Sequence, residues 1–170
     1  CIYRIREVEG ICVLGNHDQA LLDPERIHEL NSMARETLLG SRTMVGEQEL
    51  AYLNSFEFRY TEANAVFTHA NPLEPEDWQS LYLFEHVDWC LSGLAARIAF
   101  VGHTHYPGIY CRMDTASVPL TSSEVAIGRH HYLVNAGSVG QPRDGDPRSS
   151  FALWDIDNDH VALQRVEYAV

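Results

Sequence analysis

Gly10-Ile11-Cys12-Val13-Leu14-Gly15-Asn16-His17-Asp18 is the stretch on which the reading of this chain turns. A short apolar run bounded by glycines is the pattern of a strand buried on both faces. This one delivers an amide, an imidazole and a carboxylate to its C-terminal end. Polar side chains at that point suit a site rather than a core.

The arrangement recurs twice. Ala65-Val66-Phe67 runs into Thr68-His69, after a predicted strand over 57–60 and a turn near 62–64. Ile98-Ala99-Phe100-Val101 runs into Gly102-His103-Thr104-His105. Between them, Asp23-Pro24-Glu25 reads as a helix start leading into Ile27, Leu30, Ala34 and Leu38, with Gly40 as its stop. Further helices are predicted over 47–54 and 83–97, and the charged opening, residues 2–8, reads as the end of a helix. From Gly108 onward the pattern changes to short strands, at 109–112, 124–127, 131–134, 151–156 and 161–168. Strand-helix alternation followed by strands predicts an α/β domain of two packed sheets with helices outside.

In an open α/β sheet, ligands bind beyond the carboxyl ends of the strands. Asn16, His17, His69, His103 and His105 therefore have the means to converge on one cleft. Imidazole nitrogen and amide oxygen suit borderline to hard divalent ions such as manganese, iron, zinc or nickel. His103 and His105, two apart on a turn, can reach different ions, and two ions about 3.5–4 Å apart clamp a phosphoryl group and ready a bridging hydroxide for in-line attack. His17 is placed to protonate a leaving oxygen, provided a carboxylate orients its other nitrogen.

Composition narrows the field. At 170 residues and 45% hydrophobic, the chain can bury the core of one domain, expected to span 1–170. No apolar run approaches the roughly 18 residues that a membrane span requires. The net charge of −12 repels nucleic-acid backbone and anionic membrane, so positive charge for a phosphate must be local. Four scattered cysteines, Cys1, Cys12, Cys90 and Cys111, form neither a zinc cluster nor a disulfide framework, which fits reduced thiols in a cytoplasm.

Taken in order, Gly15-Asn16-His17-Asp18, His69 and Gly102-His103-Thr104-His105 resemble the third, fourth and fifth motif blocks of the calcineurin-like metallophosphoesterase superfamily. The tail from Asn135 to Pro147 is similar to a loop of its small bacterial phosphoesterase and phosphodiesterase branch. The resemblance runs from about Gly10 nearly to the end of the chain. It implies a four-layer α/β/β/α sandwich, with Asn16, His69 and His103 on one metal, His105 on the other and His17 as the catalytic histidine. It also implies two earlier blocks, an Asp-x-His and a Gly-Asp-x-x-Asp, with their strands and helix, which carry the remaining ligands of one metal, the bridging aspartate and the carboxylate that orients the catalytic histidine. These should precede Gly10 and are not in this sequence, so the natural start is expected upstream of Cys1. Ala70 stands where the superfamily usually has glycine.

The function expected is hydrolysis of phosphodiester or phosphomonoester bonds, by attack of a metal-bridging hydroxide, with two divalent ions, manganese first. The partner is a small phosphorylated substrate, a nucleotide among the candidates, and a second copy of the chain is compatible. No residue is singled out for substrate binding. The alternatives are a dinucleoside-polyphosphate or protein phosphatase, or a catalytically silent scaffold of the same fold, for which keeping His17 has no purpose. Other residues carry simpler readings. His28, His86, His160 and the pair His130-His131 fit turn, helix or cross-strand positions. Arg143 and Arg148 suit a phosphate contact or salt bridges with Asp144, Asp146 or Asp155. Trp78, Trp89 and Trp154 suit packing, with ring stacking at Trp78 the rival.

Overall fold

The computed structural model describes residues 1–168. The chain divides into two compact units, Cys1–Phe58 and Arg59–Val170.

The first unit is helical. Helices α1 (Ile2–Glu7), α2 (Asn16–Leu22), α3 (Ser32–Arg42) and α4 (Glu47–Leu53) are joined by a 3-10 turn, Pro24–Glu29. Ala20, Leu21, Ile27, Leu38 and Leu53 form its buried core, with Leu50 and Phe56 packed against them. The helix expected from Asp23 to Gly40 is two elements. Asp23 caps the 3-10 turn by accepting from the Glu25 N–H at 3.2 Å, but Leu30 is extended, and Asn31 then caps α3 by accepting from the Ala34 N–H at 3.0 Å. An Asn at that position is worth more as a cap than inside a helix. The Arg35 guanidinium occupies the carbonyls freed at the break, those of His28 and Leu30. Gly40 lies inside α3 with open space beside it, so it is tolerated there and does not end the helix.

The strand expected over residues 10–15 is reduced to a single parallel bridge, Val13 with Glu57, with Ile11 66% exposed. A buried strand requires successive rungs. Beyond Glu57 the neighbouring chain moves on into the next element, and the Leu14 N–H donates to the Glu57 carbonyl at 2.9 Å beside the bridge.

The second unit carries two sheets. Strands β1 (Arg59–Glu62), β2 (Ala65–Thr68), β3 (Ile98–Val101), β4 (Gly108–Arg112), β5 (Ser117–Leu120) and β7 (His131–Asn135) form a six-stranded sheet in the order β1-β2-β3-β7-β4-β5. Strands β6 (Glu124–Ala126), β8 (Ser149–Asp155) and β9 (His160–Val166) form a three-stranded sheet in the order β6-β9-β8. Residues 63 and 64 turn the β1-β2 hairpin with positive φ, as a tight primed turn demands. β5 was not expected; its Pro119, which has no N–H, is tolerated because the strand sits at the sheet edge with no outer ladder.

Helix α5 (Phe84–Gly93) packs Val87, Cys90 and Leu91 onto Val66, Ala99, Val101 and Leu133. The alternate residues Ile98, Phe100 and Val134 face the other way, into a core shared with Val161, Trp154 and Leu163 of the second sheet. α5 stops short of the expected residue 97. A side chain at Gly93 would meet Leu73 at 3.0 Å, and the chain turns extended at Leu94 to enter β3.

β2, β3 and β7 are parallel neighbours in a register that pairs Phe67 with Phe100 and Val101 with Asn135. Their carboxyl ends therefore lie side by side, and His69, His103 and Asn135 issue from one edge.

Candidate functional site

His69 lies within a turn closed by the Thr68 hydroxyl, which donates to the Ala70 carbonyl at 2.8 Å. Its own carbonyl accepts from the Gly102 N–H at 3.0 Å, which locks the loops after β2 and β3 together. This brings His103 Nδ1 to 3.2 Å from His69 Nε2, with the rings edge to face. Ala70 is 2% exposed and has no positive φ, so the alanine needs no glycine-like backbone.

His103 and His105 both occupy the left-handed region, at φ 62° and 64°. Such backbone in non-glycine residues costs on the order of 1–3 kcal/mol each and persists only where the surroundings hold it. The holding group is Asn135, 3% exposed at the end of β7. Its carboxamide donates to the Gly102 carbonyl at 3.0 Å and the Thr104 hydroxyl at 2.8 Å, while its oxygen accepts from the Gly137 N–H at 3.0 Å. The Thr104 hydroxyl in turn accepts from the Tyr106 N–H at 3.2 Å. Thr104, between the histidines, is buried and fixes the turn from inside. Sequence reasoning gave neither residue a role; the only signal was a polar residue ending a buried strand.

His105 Nδ1 lies 2.7 Å from the Gln141 carbonyl. A carbonyl only accepts, so Nδ1 carries the proton, and in the neutral ring Nε2 is the lone-pair nitrogen that binds metals.

In the first unit, Asn16 and His17 open α2, not the end of an extended strand. Asp18 closes the cap by accepting from the Gly15 N–H at 3.0 Å. Burial pushes the Asp18 carboxyl above its ordinary range, against the opposing pull of the Gly15 N–H and His17. His17 is exposed and Asn16 half-buried.

The residues expected as ligands are thus placed as follows. His69 and His103 meet nitrogen to nitrogen, His105 sits on the same loop facing Gln141, and Asn16 with His17 lies in the other unit. Among the described residues, no group of three or more His, Cys, Asp or Glu side chains is gathered closely enough to hold an ion by itself. The His69–His103 pair nevertheless fits a shared metal: with metal–nitrogen bonds of about 2.0–2.1 Å, two adjacent ligands stand roughly 3–3.4 Å apart.

The sequence profile of the calcineurin-like phosphoesterase superfamily domain matches residues 2–159. The chain belongs to this superfamily. It is 31% identical to the uncharacterized protein MJ0912 of Methanocaldococcus jannaschii, over all of this chain and 70% of that protein. Its fold matches the crystal structure of a metallophosphoesterase from Sphaerobacter thermophilus with a TM-score of 0.83 and 30% identity, over 99% of this chain and 71% of the other. The hypothetical protein PH1004 from Pyrococcus horikoshii OT3 shares the fold, with a TM-score of 0.71 and 19% identity, over 99% of this chain and 67% of that one. The chain has the mixed α/β architecture expected from its strand and helix pattern.

Other residues of this superfamily member settle into structural roles. Arg148 grips the Asp146 carboxylate through Nε and Nη2, the latter at 2.6 Å, and Arg165 pairs with Asp144. His131 Nδ1 bonds the Ala96 carbonyl at 2.9 Å and His86 Nδ1 the Ser80 carbonyl at 3.1 Å. A cavity of about 620 Å³ opens beside β1 and the end of α5, lined by Arg59, Asn64, Pro72, Leu73 and Leu94, and none of the site histidines reaches it. No helix among the described residues is long and apolar enough to cross a membrane.

Proposed function

We propose that this chain carries out metal-dependent hydrolysis of phosphodiester or phosphomonoester bonds in a small phosphorylated substrate. The observation that carries the reading is the His69–His103 pair, two ring nitrogens 3.2 Å apart at the ends of adjacent parallel strands in a calcineurin-like phosphoesterase. His69 and His103 would hold one ion and His105 would offer Nε2 to a second, while Asn16 and His17 would take the superfamily's roles of ligand and catalytic histidine. Two divalent ions, manganese first and iron, zinc or nickel after it, would supply positive charge to the phosphoryl oxygens and lower the pKa of water there.

The chain's own contribution is positional. Asn135 and Thr104 hold the histidine turn in its left-handed conformation, the Gln141 carbonyl fixes the tautomer of His105, and His17 supplies a proton to the leaving oxygen. The four cysteines are free thiols, which supports a reducing, cytoplasmic setting, and the charge of −12 argues against nucleic acid as partner.

The test is calorimetric manganese binding together with hydrolysis of bis-p-nitrophenyl phosphate and p-nitrophenyl phosphate, by the protein with its native segment upstream of Cys1 included. The wild type should bind manganese and turn over at least one ester. His103→Ala should lose manganese affinity by about 10-fold or more, and His17→Ala should retain the metal but lose about 10²- to 10⁴-fold in rate. Manganese bound with neither ester hydrolysed would count against the phosphoesterase reading.

A further inference from the structure

Around the histidines of the second unit stand three aromatic rings, Trp78, Tyr82 and Tyr106. Trp78 sits in the left-handed region, φ 54°, with its ring edge-on to His69 at 5.8 Å between centroids. A tryptophan there is an outlier in backbone space, and such strain is kept only where its surroundings fix it. Tyr106 directly follows His105 and meets Tyr82 in a T-shaped contact at 5.3 Å, with their hydroxyls hydrogen-bonded. Tyr82 is 60% exposed and Tyr106 37%.

Trp78 and Tyr82 lie four residues apart in the loop between β2 and α5, so one loop contacts both histidine-bearing turns. That loop is anchored. Asn71, wholly buried, donates to the Gln79 side chain at 3.0 Å and accepts from the Leu73 N–H at 3.1 Å, and Leu81 is 5% exposed. Tyr82 and Tyr106, exposed, and Trp78, half-buried, stand on a fixed backbone and form a preorganised surface, because little ordering entropy remains to be lost when a flat partner settles on them. On the other side of Tyr106, the Arg143 backbone N–H donates to the His105 carbonyl at 3.3 Å, and its guanidinium donates to the Gln141 side chain at 3.1 Å.

Resting on the phosphoesterase reading above, we infer that Trp78, Tyr82 and Tyr106 form a stacking wall that selects phosphate esters carrying a planar ring, of which a nucleotide is the natural class. The histidine turns take the phosphate and the aromatic loop takes the ring. Stacking tolerates any base, so the wall sorts ring-bearing from ring-free esters without choosing among bases.

The experiment is calorimetry of the manganese-loaded chain with adenosine 5′-monophosphate and with methyl phosphate, which share the phosphomonoester and differ in the ring. The nucleotide should bind about 10-fold or more tightly in the wild type, and the ratio of the two affinities should fall by about 5-fold or more in Tyr82→Ala and in Trp78→Leu. Tyr82 is largely exposed, so its variant keeps the fold if the Trp78 change disturbs the turn; thermal melts verify this. Equal affinities in the wild type, a ratio unchanged in Tyr82→Ala, or binding of neither ligand would each overturn the inference. Because the readout is binding, a chain that discriminates between the ligands but hydrolyses no ester would sink the phosphoesterase reading while leaving the stacking wall in place.

Discussion

The carboxamide nitrogen of Asn135 lies 2.8 Å from the hydroxyl of Thr104, and through that contact the end of β7 holds the turn that presents His103 and His105. Both partners are buried, so a lost bond leaves polar atoms without water to replace it. Asn135→Ala should lower stability by about 1–3 kcal/mol in urea unfolding. It should also weaken manganese binding in calorimetry under conditions where the variant is still folded. A variant destabilised to this extent but with wild-type manganese affinity would show that Asn135 only supports the fold.

Gly137 takes φ 78°, and a Cβ there would come within 2.8 Å of the Ser150 side chain and 3.0 Å of Pro107. Gly137→Ala therefore meets both backbone strain and overlap, and it should destabilise the chain by about 1–3 kcal/mol. Gly140 has open space around it and no positive φ, so Gly140→Ala should unfold within about 0.5 kcal/mol of the wild type. Equal midpoints for the two variants would contradict the packing described around Gly137.

Asp88 joins α5 to the far edge of the six-stranded sheet. Its carboxylate accepts from the Ser117 N–H at 2.8 Å and from the Arg112 guanidinium at 2.7 Å. The bonds from Ser117, with the Arg112 charge, hold its carboxyl below the ordinary value of 3.8. A depressed carboxyl contributes stability that is present above its unfolded pKa and is lost as pH falls through the folded value. Between about pH 5 and pH 3, Asp88→Asn should lose less stability than the wild type, having no charge there to lose. Parallel losses in the two proteins would remove Asp88 as a source of acid sensitivity.

Burial pushes the Cys90 thiol up to about 12, and no part of its side chain is accessible from outside. Only the thiolate reacts, so in the folded chain at about pH 8 Cys90 should resist a disulfide reagent while the exposed Cys1 is modified. Mass mapping of labelled peptides reads this directly, and full labelling in denaturant is the control. Rapid native labelling at Cys90 would mean that α5 opens readily from the sheet.

Much of this protein was legible in its residues because burial leaves a periodic trace. The four apolar residues 98–101 form β3 with no offset, and the 65–68 segment runs into His69 as expected. The strand at 10–15 was not recoverable in the same way. Apolarity indicates that a segment can be buried, but a ladder depends on a partner distant in sequence, and here the pairing is an isolated bridge between Val13 and Glu57. The break at Leu30 was hidden because the apolar spacing continues through it, while the capping preference of Asn31 is local and overrides the period. β5 was not expected, although its Pro119 excludes a central strand and not an edge.

By itself, the sequence determined which chemistry is available: imidazoles and an amide after apolar runs, in an order that matches the superfamily, on a chain too acidic to attract phosphate without local help. Tertiary structure alone decided which of these groups meet. Parallel pairing of β2, β3 and β7 sets His69 nitrogen to nitrogen with His103, and Asn135 holds the strained turn between them. Contacts across 34 and 31 residues of chain are fixed by register and burial, and neither leaves a mark in the local pattern of residues.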